Sequence, residues 1–515
     1  MEVELPWGAR CAAAAFFVSS LCVAALGVVL LLLRRWPWCG CHVCRAYLAG
    51  SWRREFANLG DWYADLLRRS PTGTVHVHVL GCTVTANPAN VEYMLKTRFD
   101  NFPKGRPFAA LLGDLLGDGI FNVDGDAWRH QRKMASLELG SVAVRSYAYK
   151  IVAQEVEARL MPVLANAADS GAVVDLQDVF RRFAFDTICK ISFGLDPGCL
   201  DREMPVSELA DAFDAASRLS AMRGAAASPL LWKMKRFLNV GSERELKKAI
   251  KLIDGLAAAM IRERRKLGVA NSHDLLSRFM ASSGDDARGA ADDKFLRDIV
   301  VSFLLAGRDT VSSALTTLFM ILSKNPDVAA AMRAEAGAAA GESAAVSYEH
   351  LKRLNYTHAV LYENMRLFPP VQFDSKFCAA ADVLPDGTYV DGGARVMYHP
   401  YAMGRMPRIW GADCDAFRPE RWLTGAGGAF VPESLFKYPV FQGRPPRVPR
   451  QGARHHRDEG GQRRRREGIR RRGRRREWPV RRRRSRRAKI RAGAHRVHQR
   501  WAPSEDQTRL DLHTA

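Results

Sequence analysis

The 515-residue chain predicts a mainly α fold with a small β region, and three observations carry that reading. One stretch, Ile299 to Pro326, is apolar on nearly every face and long enough to run through a protein interior as a single helix. Residues 205–270 and 327–341 read as helices, the first with Ala-rich and Lys/Arg-rich faces, the second Ala-rich throughout. Strand signals are confined to two places, the alternation Val75-His76-Val77-His78-Val79 and the segment Gly387 to Tyr398. No repeat of about 20–50 residues is visible. The length suits one large domain or about two to three ordinary ones.

Taken in order, the chain opens on Cys11 to Leu33, apolar apart from Ser19, Ser20 and Gly27. At about 1.5 Å per residue the run reaches roughly 34 Å, enough for a hydrocarbon core of ~30 Å. Arg34 and Arg35 follow and no small-residue cleavage site is evident, so residues 1–35 read as a retained signal anchor rather than a cleaved leader. Counting positive residues places the body in the cytosol and the single-pass anchor in the endoplasmic-reticulum membrane. There the ten cysteines stay reduced. Cys39, Cys41 and Cys44, with His42 among them, look like a small metal site but have no distant second half, so juxtamembrane thiols open to acylation are the preferred reading and a zinc site the alternative.

Trp62 to Arg69 predicts a helix, Val75 to Val79 a strand, Gly81 a turn and Cys82 to Ala86 the returning strand. His76 and His78 share one strand face at a spacing that can bind metal, but no neighbour in the sequence completes a site, so both are expected at the surface. Ser282 to Asp293 predicts a loop before the long helix, and Gly387 to Tyr398 a hairpin around Asp391-Gly392-Gly393.

The net charge of +23 is unevenly placed. Residues 443–515 hold 25 Arg and one Lys against seven acids, a net of +19, which leaves +4 for the rest. A nucleic-acid or nuclear-import role would therefore rest on the tail alone. The tail's low hydrophobicity and high charge predict disorder.

The chemistry concentrates in the long helix, which stops at Asn325-Pro326 because proline cannot continue the ladder. Ala306-Gly307-Arg308-Asp309-Thr310 puts two charges and a hydroxyl at its centre. Ala306 and Thr310 share a face, with Gly307 beside them admitting close approach to the backbone. A buried hydroxyl beside a carboxylate suits a proton relay to a bound oxidant. A kinked core helix whose Thr bonds back to a carbonyl is the alternative. Trp128 and Arg132 close the stretch GIFNVDGDAWRHQR and point the same way on a helix. Glu363 and Arg366 form E-x-x-R one turn apart, ahead of Pro369-Pro370. Arg421, in Phe417-Arg418-Pro419-Glu420-Arg421-Trp422, can close on them as a three-membered ion network. Such a network, when buried, is costly to desolvate and serves positioning more than net stability.

The helix motif, E-x-x-R and P-E-R-W in this order resemble the cytochrome P-450 family of haem-thiolate monooxygenases, over about residues 30–442. Thr97 to Gly105 and Phe183 to Leu200 are similar to the plant fatty-acid ω-hydroxylase clan, which includes jasmonoyl-amino-acid hydroxylases. The resemblance implies a cytochrome P-450 fold over residues 36–442, with a variable substrate roof in 205–270. It implies haem as cofactor, electrons from NADPH through NADPH–cytochrome P-450 reductase, and a lipid-like substrate hydroxylated at or near its terminal carbon. No nucleic-acid partner is expected. By the same resemblance Ala306 and Gly307 shape an oxygen pocket, while Asp309 and Thr310 deliver protons. Trp128 and Arg132 would hold one haem propionate through N–H donors, and Lys376 the second. Val371 to Lys376 would line the substrate pocket, and Glu363, Arg366 and Arg421 would stand behind the cofactor.

The pattern breaks after Phe441-Gln442, where the family has a glycine, an arginine and the cysteine whose thiolate binds iron. This chain reads Gly443-Arg444-Pro445-Pro446-Arg447-Val448-Pro449-Arg450-Gln451-Gly452, and no cysteine follows Cys414. One coding string for these residues is GGC CGG CCC CCG CGT GTG CCT CGG CAA GGA, then G. Without its first base it encodes Ala-Gly-Pro-Arg-Val-Cys-Leu-Gly-Lys-Glu, the family's haem loop. The cysteine codon then straddles Val448 and Pro449. Residues from 443 onward thus read as out of frame, with the haem-loop region lost. Two alternatives stay open: a non-catalytic remnant or gene-model error, and a basic-tailed nucleic-acid-binding protein.

Overall fold

The computed structural model describes residues 39–441 apart from 202–207, 226–228, 269–273, 283–292, 341–346 and 425–427, together with Ser19, Ser20, Val23, Ala25 and Gly27. Most of the expected anchor, most of the expected Ser282–Asp293 loop and the whole tail, with Val448 and Pro449, lie outside the described residues.

Helices dominate, and small sheets complete the fold. The elements that position the site are α1 (His42–Ala49), α2 (Leu59–Arg69), β1 (Thr74–Val77), β2 (Cys82–Thr85), α3 (Gly105–Leu116), α4 (Gly125–Gly140), α5 (Leu176–Phe193), α6 (Glu208–Ala225), α7 (Gly241–Leu267), α8 (Asp293–Leu322), α9 (Asn355–Leu367), β3 (Asp374–Phe377) and β4 (Arg395–Tyr398). The four strands form one sheet in the order β1-β2-β4-β3. β1 and β3 each pair antiparallel with their neighbour, while β2 and β4 run parallel, with Cys82 opposite Arg395.

Local chemistry explains where these elements start and stop. Asn58 caps α2 by accepting from the Asp61 amide at 2.9 Å, and Trp62, Tyr63, Leu66 and Leu67 then bury one face against the sheet. Asp175 caps α5 from its side chain, accepting from the Gln177 amide at 2.8 Å, and Gly194 ends it in the left-handed region at φ +64°. Two cores result. One joins α2 to the sheet through Leu67, Val77, Val84, Val396 and Tyr398; the other joins α3, α5, α6, α7 and α8 through Leu115, Phe185, Phe213, Ile253 and Leu304.

α8 packs along α5 and across α7. Among the described residues it is the one helix long and apolar enough to cross a membrane. Its buried Asp298 and Arg308, each paired, mark it instead as an interior helix. It starts at Asp293 and ends at Leu322, so it is longer at its N-terminus than the apolar stretch suggests. Pro326 opens the next helix, Pro326–Ala340, where its missing N–H costs nothing. Not every face is covered, since Val311 and Phe319 are each 42% exposed.

The expected hairpin over Gly387 to Tyr398 does not form. Tyr389–Val390 pairs with Asp382–Val383 in a separate two-stranded sheet, while β4 joins the main one. The Asp391-Gly392-Gly393 turn, with Gly393 at φ +82°, hands the chain from one sheet to the other. The turn is pinned by the Gly393 amide on the Cys378 carbonyl at 2.6 Å.

Candidate active site

The centre of α8 is built by its contact with α5. A Cβ on Gly307 would lie 2.4 Å from Ile188 Cδ1, so the glycine is what lets the two helices approach. The close neighbour admitted by this residue is therefore a helix of the protein itself. The Thr310 hydroxyl donates back to the Ala306 carbonyl at 2.5 Å, which engages its proton and leaves the oxygen's lone pairs free to accept. Arg308 is buried beneath the Phe185 ring and pairs with Asp214 of α6 at 2.8 Å; Asp309 lies 3.4 Å from the same nitrogen. Burial pushes the Asp309 carboxyl above the usual carboxylate value, against the pull of Arg308.

A second group of residues gathers where α4 meets the start of α3. Asp124 accepts the Lys104 and Gly105 amides at 2.9 and 2.8 Å, which locks the two segments together. The Lys104 ammonium, bonded to the Ile120 carbonyl at 3.0 Å, lies 5.7 Å from the centre of the Trp128 ring. Trp128 packs on Phe99, and Arg132 is exposed one turn further on. Neither the Trp128 Nε1–H nor the Arg132 guanidinium has a hydrogen-bond partner among the described residues. Their neighbour Arg129, in contrast, is paired with both Asp100 and Asp126. On β3, Lys376 pairs with Asp374 at 3.2 Å. Burial, reinforced by the Lys376 charge, brings the Lys104 ammonium down to about 8. Lys104 is thus a cation that sequence reasoning missed; the signal was its place in the Thr97–Gly105 loop.

In a separate group, Glu363, Arg366 and Arg421 meet. Arg366 donates through Nε and Nη2 to the two Glu363 oxygens at 2.7 and 2.8 Å, and both side chains are fully buried. Arg421 Nε adds a bond at 3.3 Å, the Trp422 indole one at 3.0 Å and the Arg418 amide one at 2.8 Å. The remaining Arg366 donors reach the Gly404, Cys414 and Ala416 carbonyls. Arg421 turns its other nitrogens to Asp413, and together with Arg418 it holds that carboxyl at about 2. Gly404 is obligatory, because a Cβ there would lie 2.0 Å from the Arg366 carbonyl oxygen.

The sequence profile of the family described as Cytochrome P450 matches residues 36–437. The chain belongs to the cytochrome P450 family. It is 56% identical over 417 residues to Cytochrome P450 94C1 of Arabidopsis thaliana, covering 80% of this chain and 83% of that protein. It is also 47% identical over 409 residues to Cytochrome P450 94B1 of the same plant (77% and 78% covered) and 43% identical over 398 residues to Cytochrome P450 94A2 of Vicia sativa (75% and 76%). Membership makes haem iron the cofactor of the family and monooxygenation its reaction class.

The residues of this cytochrome P450 fit one half of that cofactor. The unpartnered Trp128 and Arg132 donors, with Lys104 and Lys376 near them, suit the carboxylates of a haem. The axial sulfur is missing. Cys414, the last cysteine of the sequence, is buried, donates its Sγ–H to the Arg405 carbonyl at 3.3 Å, and belongs to the shell around Arg366. No step through the haem therefore follows for the chain as written.

One constellation lies elsewhere. The thiols of Cys39, Cys41 and Cys44 converge with His78, which begins a short turn after β1. The expectation that nothing completes a site around His78 is thereby corrected. The partner comes from a segment far back in sequence, and the turn His78–Leu80 swings the ring off the strand toward it. The Cys44 amide holds the Cys41 thiol at about 6.

Proposed function

We propose that this gene lineage encodes a membrane-anchored monooxygenase that hydroxylates a fatty acid, or a fatty-acid-derived hormone conjugate, at or near its terminal carbon. A haem bound by a cysteine thiolate would supply the family's oxygen activation and C–H oxidation, drawing electrons from NADPH through NADPH–cytochrome P450 reductase. On this reading Asp309 and Thr310 carry protons inward, Ala306 shapes the oxygen pocket while Gly307 seats the helix against Ile188, Trp128, Arg132 and Lys376 hold the haem carboxylates, and the Glu363 network supports the cofactor from behind. Residues 1–35 would anchor the body on the cytosolic side of the endoplasmic-reticulum membrane. The chain as written would be inactive, because residues 443–515 are out of frame and the haem cysteine is displaced to the codons of Val448 and Pro449. The observation that carries this reading is that the family match ends at residue 437, just ahead of the break. The nearly neutral body and the out-of-frame tail together argue against a nucleic-acid partner.

The test compares two proteins, this sequence and a version with the frame restored at codon 443. With carbon monoxide and reductant, the restored protein is expected to give the red-shifted Soret band of a haem thiolate, and the literal chain to give none. That band from the literal chain would overturn the frame argument. Incubation of the restored protein with reductase, NADPH and a panel of fatty acids and their amino-acid conjugates then tests the substrate class. Turnover of a different substrate, with no terminal or near-terminal hydroxylation in the panel, would count against it.

A further inference from the structure

The cluster around the start of α1 has the composition and geometry of a metal centre. Three sulfurs, of Cys39, Cys41 and Cys44, and one imidazole, of His78, offer ligand atoms that all lie within 4.8 Å of one another. The Cys39 Sγ to His78 Nδ1 distance is 3.4 Å. In a tetrahedral zinc site with Zn–S near 2.3 Å and Zn–N near 2.0–2.1 Å, the ligand–ligand edges are about 3.8 Å for sulfur pairs and about 3.6 Å for sulfur to nitrogen. The His78 edge already has that length, and the longest separation needs to close by only about 1 Å.

The supports are rigid and come from two elements. Cys41 is the residue before α1 and accepts the Cys44 amide on its sulfur at 3.4 Å; Cys44, fully buried, accepts the Val79 amide at 3.3 Å. Two thiol sulfurs thus take backbone N–H bonds, which favour the thiolate at Cys41, while at Cys44 burial outweighs the amide and pushes the thiol up. On the other side, the turn His78–Leu80 is closed by Gly81 at φ +53°, whose amide bonds the His78 carbonyl at 2.9 Å. His76 stands edge-on to the His78 ring at 4.5 Å and is itself bound to the Thr83 hydroxyl at 2.9 Å, which limits where the His78 ring can turn.

We infer that Cys39, Cys41, Cys44 and His78 bind one Zn2+ as a closed, four-coordinate structural centre that clips the segment entering the domain to the β1–β2 turn. Three thiolates with one imidazole favour a thiophilic metal of tetrahedral habit, and four protein ligands leave no open position for catalysis. The inference is independent of the haem: the site uses none of the residues assigned to it.

The test is made on the full chain, solubilised in detergent, purified under reducing conditions and dialysed against a weak chelator. Elemental analysis should find about one zinc per chain, and zinc X-ray absorption a shell of three sulfurs and one nitrogen. Cys41→Ser and His78→Ala should lower the zinc content at least fivefold. His78→Cys should restore it with a four-sulfur shell, while Cys378→Ser and His42→Ala leave it unchanged. His78 is exposed, so its variants decide the matter even if Cys41→Ser aggregates. Zinc-free wild type, zinc content indifferent to His78→Ala, a shell without sulfur, or a disulfide among the three cysteines in place of metal would each overturn the inference.

Discussion

The ion network around Glu363 and the cation group around Trp128 are built from the same donor types and treat them in opposite ways. Around Glu363 the carboxylate and the guanidinium of Arg366 are filled from within the chain, by two charged partners, an indole, a backbone amide and three carbonyls. Around Trp128 the indole N–H and the Arg132 guanidinium are left without acceptors among the described residues, and two ammonium groups stand close enough for one to depress the other. A satisfied buried network belongs to the folded architecture, because nothing needs to arrive for it to be stable. The free Trp128 and Arg132 donors, beside two ammonium groups bonded to the Ile120 carbonyl and Asp374, describe the complement of an anion.

The comparison is broken most sharply by emptying the satisfied side. Glu363→Ala leaves the Arg366 guanidinium fully buried and without its carboxylate, an arrangement that costs about 3–5 kcal/mol. Guanidinium denaturation followed by tryptophan fluorescence reads this directly, since Trp410 and Trp422 flank the network. A loss under about 1 kcal/mol would show that the network is not the structural support described above. Gly404→Ala should fall in the same range by a different route, because its methyl meets a backbone oxygen that cannot swing away.

What the sequence could reveal of these two regions follows from the kind of contact involved. Glu363 and Arg366 are one turn apart, and a helical period is enough to pair them; Arg421 needed the P-E-R-W segment as a second landmark. The Arg418 amide and the Gly404, Cys414 and Ala416 carbonyls were invisible, because backbone groups carry no residue code. α8 was legible from its apolar length, but the reason for Gly307 was not, since Ile188 reaches it only once α5 is packed. Lys104 and His78 share that fate. Each acquires its meaning from a partner brought close by β-sheet or loop packing, beyond the reach of local periodicity. The Gly387–Tyr398 segment misled for a related reason: its turn chemistry was correctly read, but turn residues do not say which sheet each flanking strand will join.

On the open side, the expected response is the reverse of that at Glu363. Arg132→Gln removes a guanidinium with no partner among the described residues, so the stability of the literal chain should change by no more than about 0.5 kcal/mol. In the frame-restored protein the same change should lower the haem-to-protein ratio after purification, read from absorbance against protein mass. Unaltered haem retention together with a large stability loss would assign Arg132 to the scaffold and remove the contrast between the two regions.

The smallest effect is also the most specific to the open region. Lys104 is brought to about 8 by burial first and by the Lys376 charge second, with Asp124 and Asp374 opposing. Its ammonium is therefore held less well in the folded chain than in the unfolded one, where a lysine titrates near 10.4. The unfolded state binds more protons between about pH 8 and 10.4, so this residue's contribution to stability rises with pH across that window and is least favourable below it. Competitive acetylation of the literal chain at a series of pH values, with the Lys104 peptide quantified by mass spectrometry, should give a midpoint near 8. Lys376→Gln should move that midpoint upward, because one of the two depressing causes is removed while burial stays. An anion bound between the two lysines would raise it as well, by favouring the charged form. A midpoint near 10 in the unliganded wild type would mean that Lys104 is solvated. A midpoint indifferent to Lys376→Gln would mean that the two ammonium groups do not share a site, and the open region would then reduce to Trp128 and Arg132 alone.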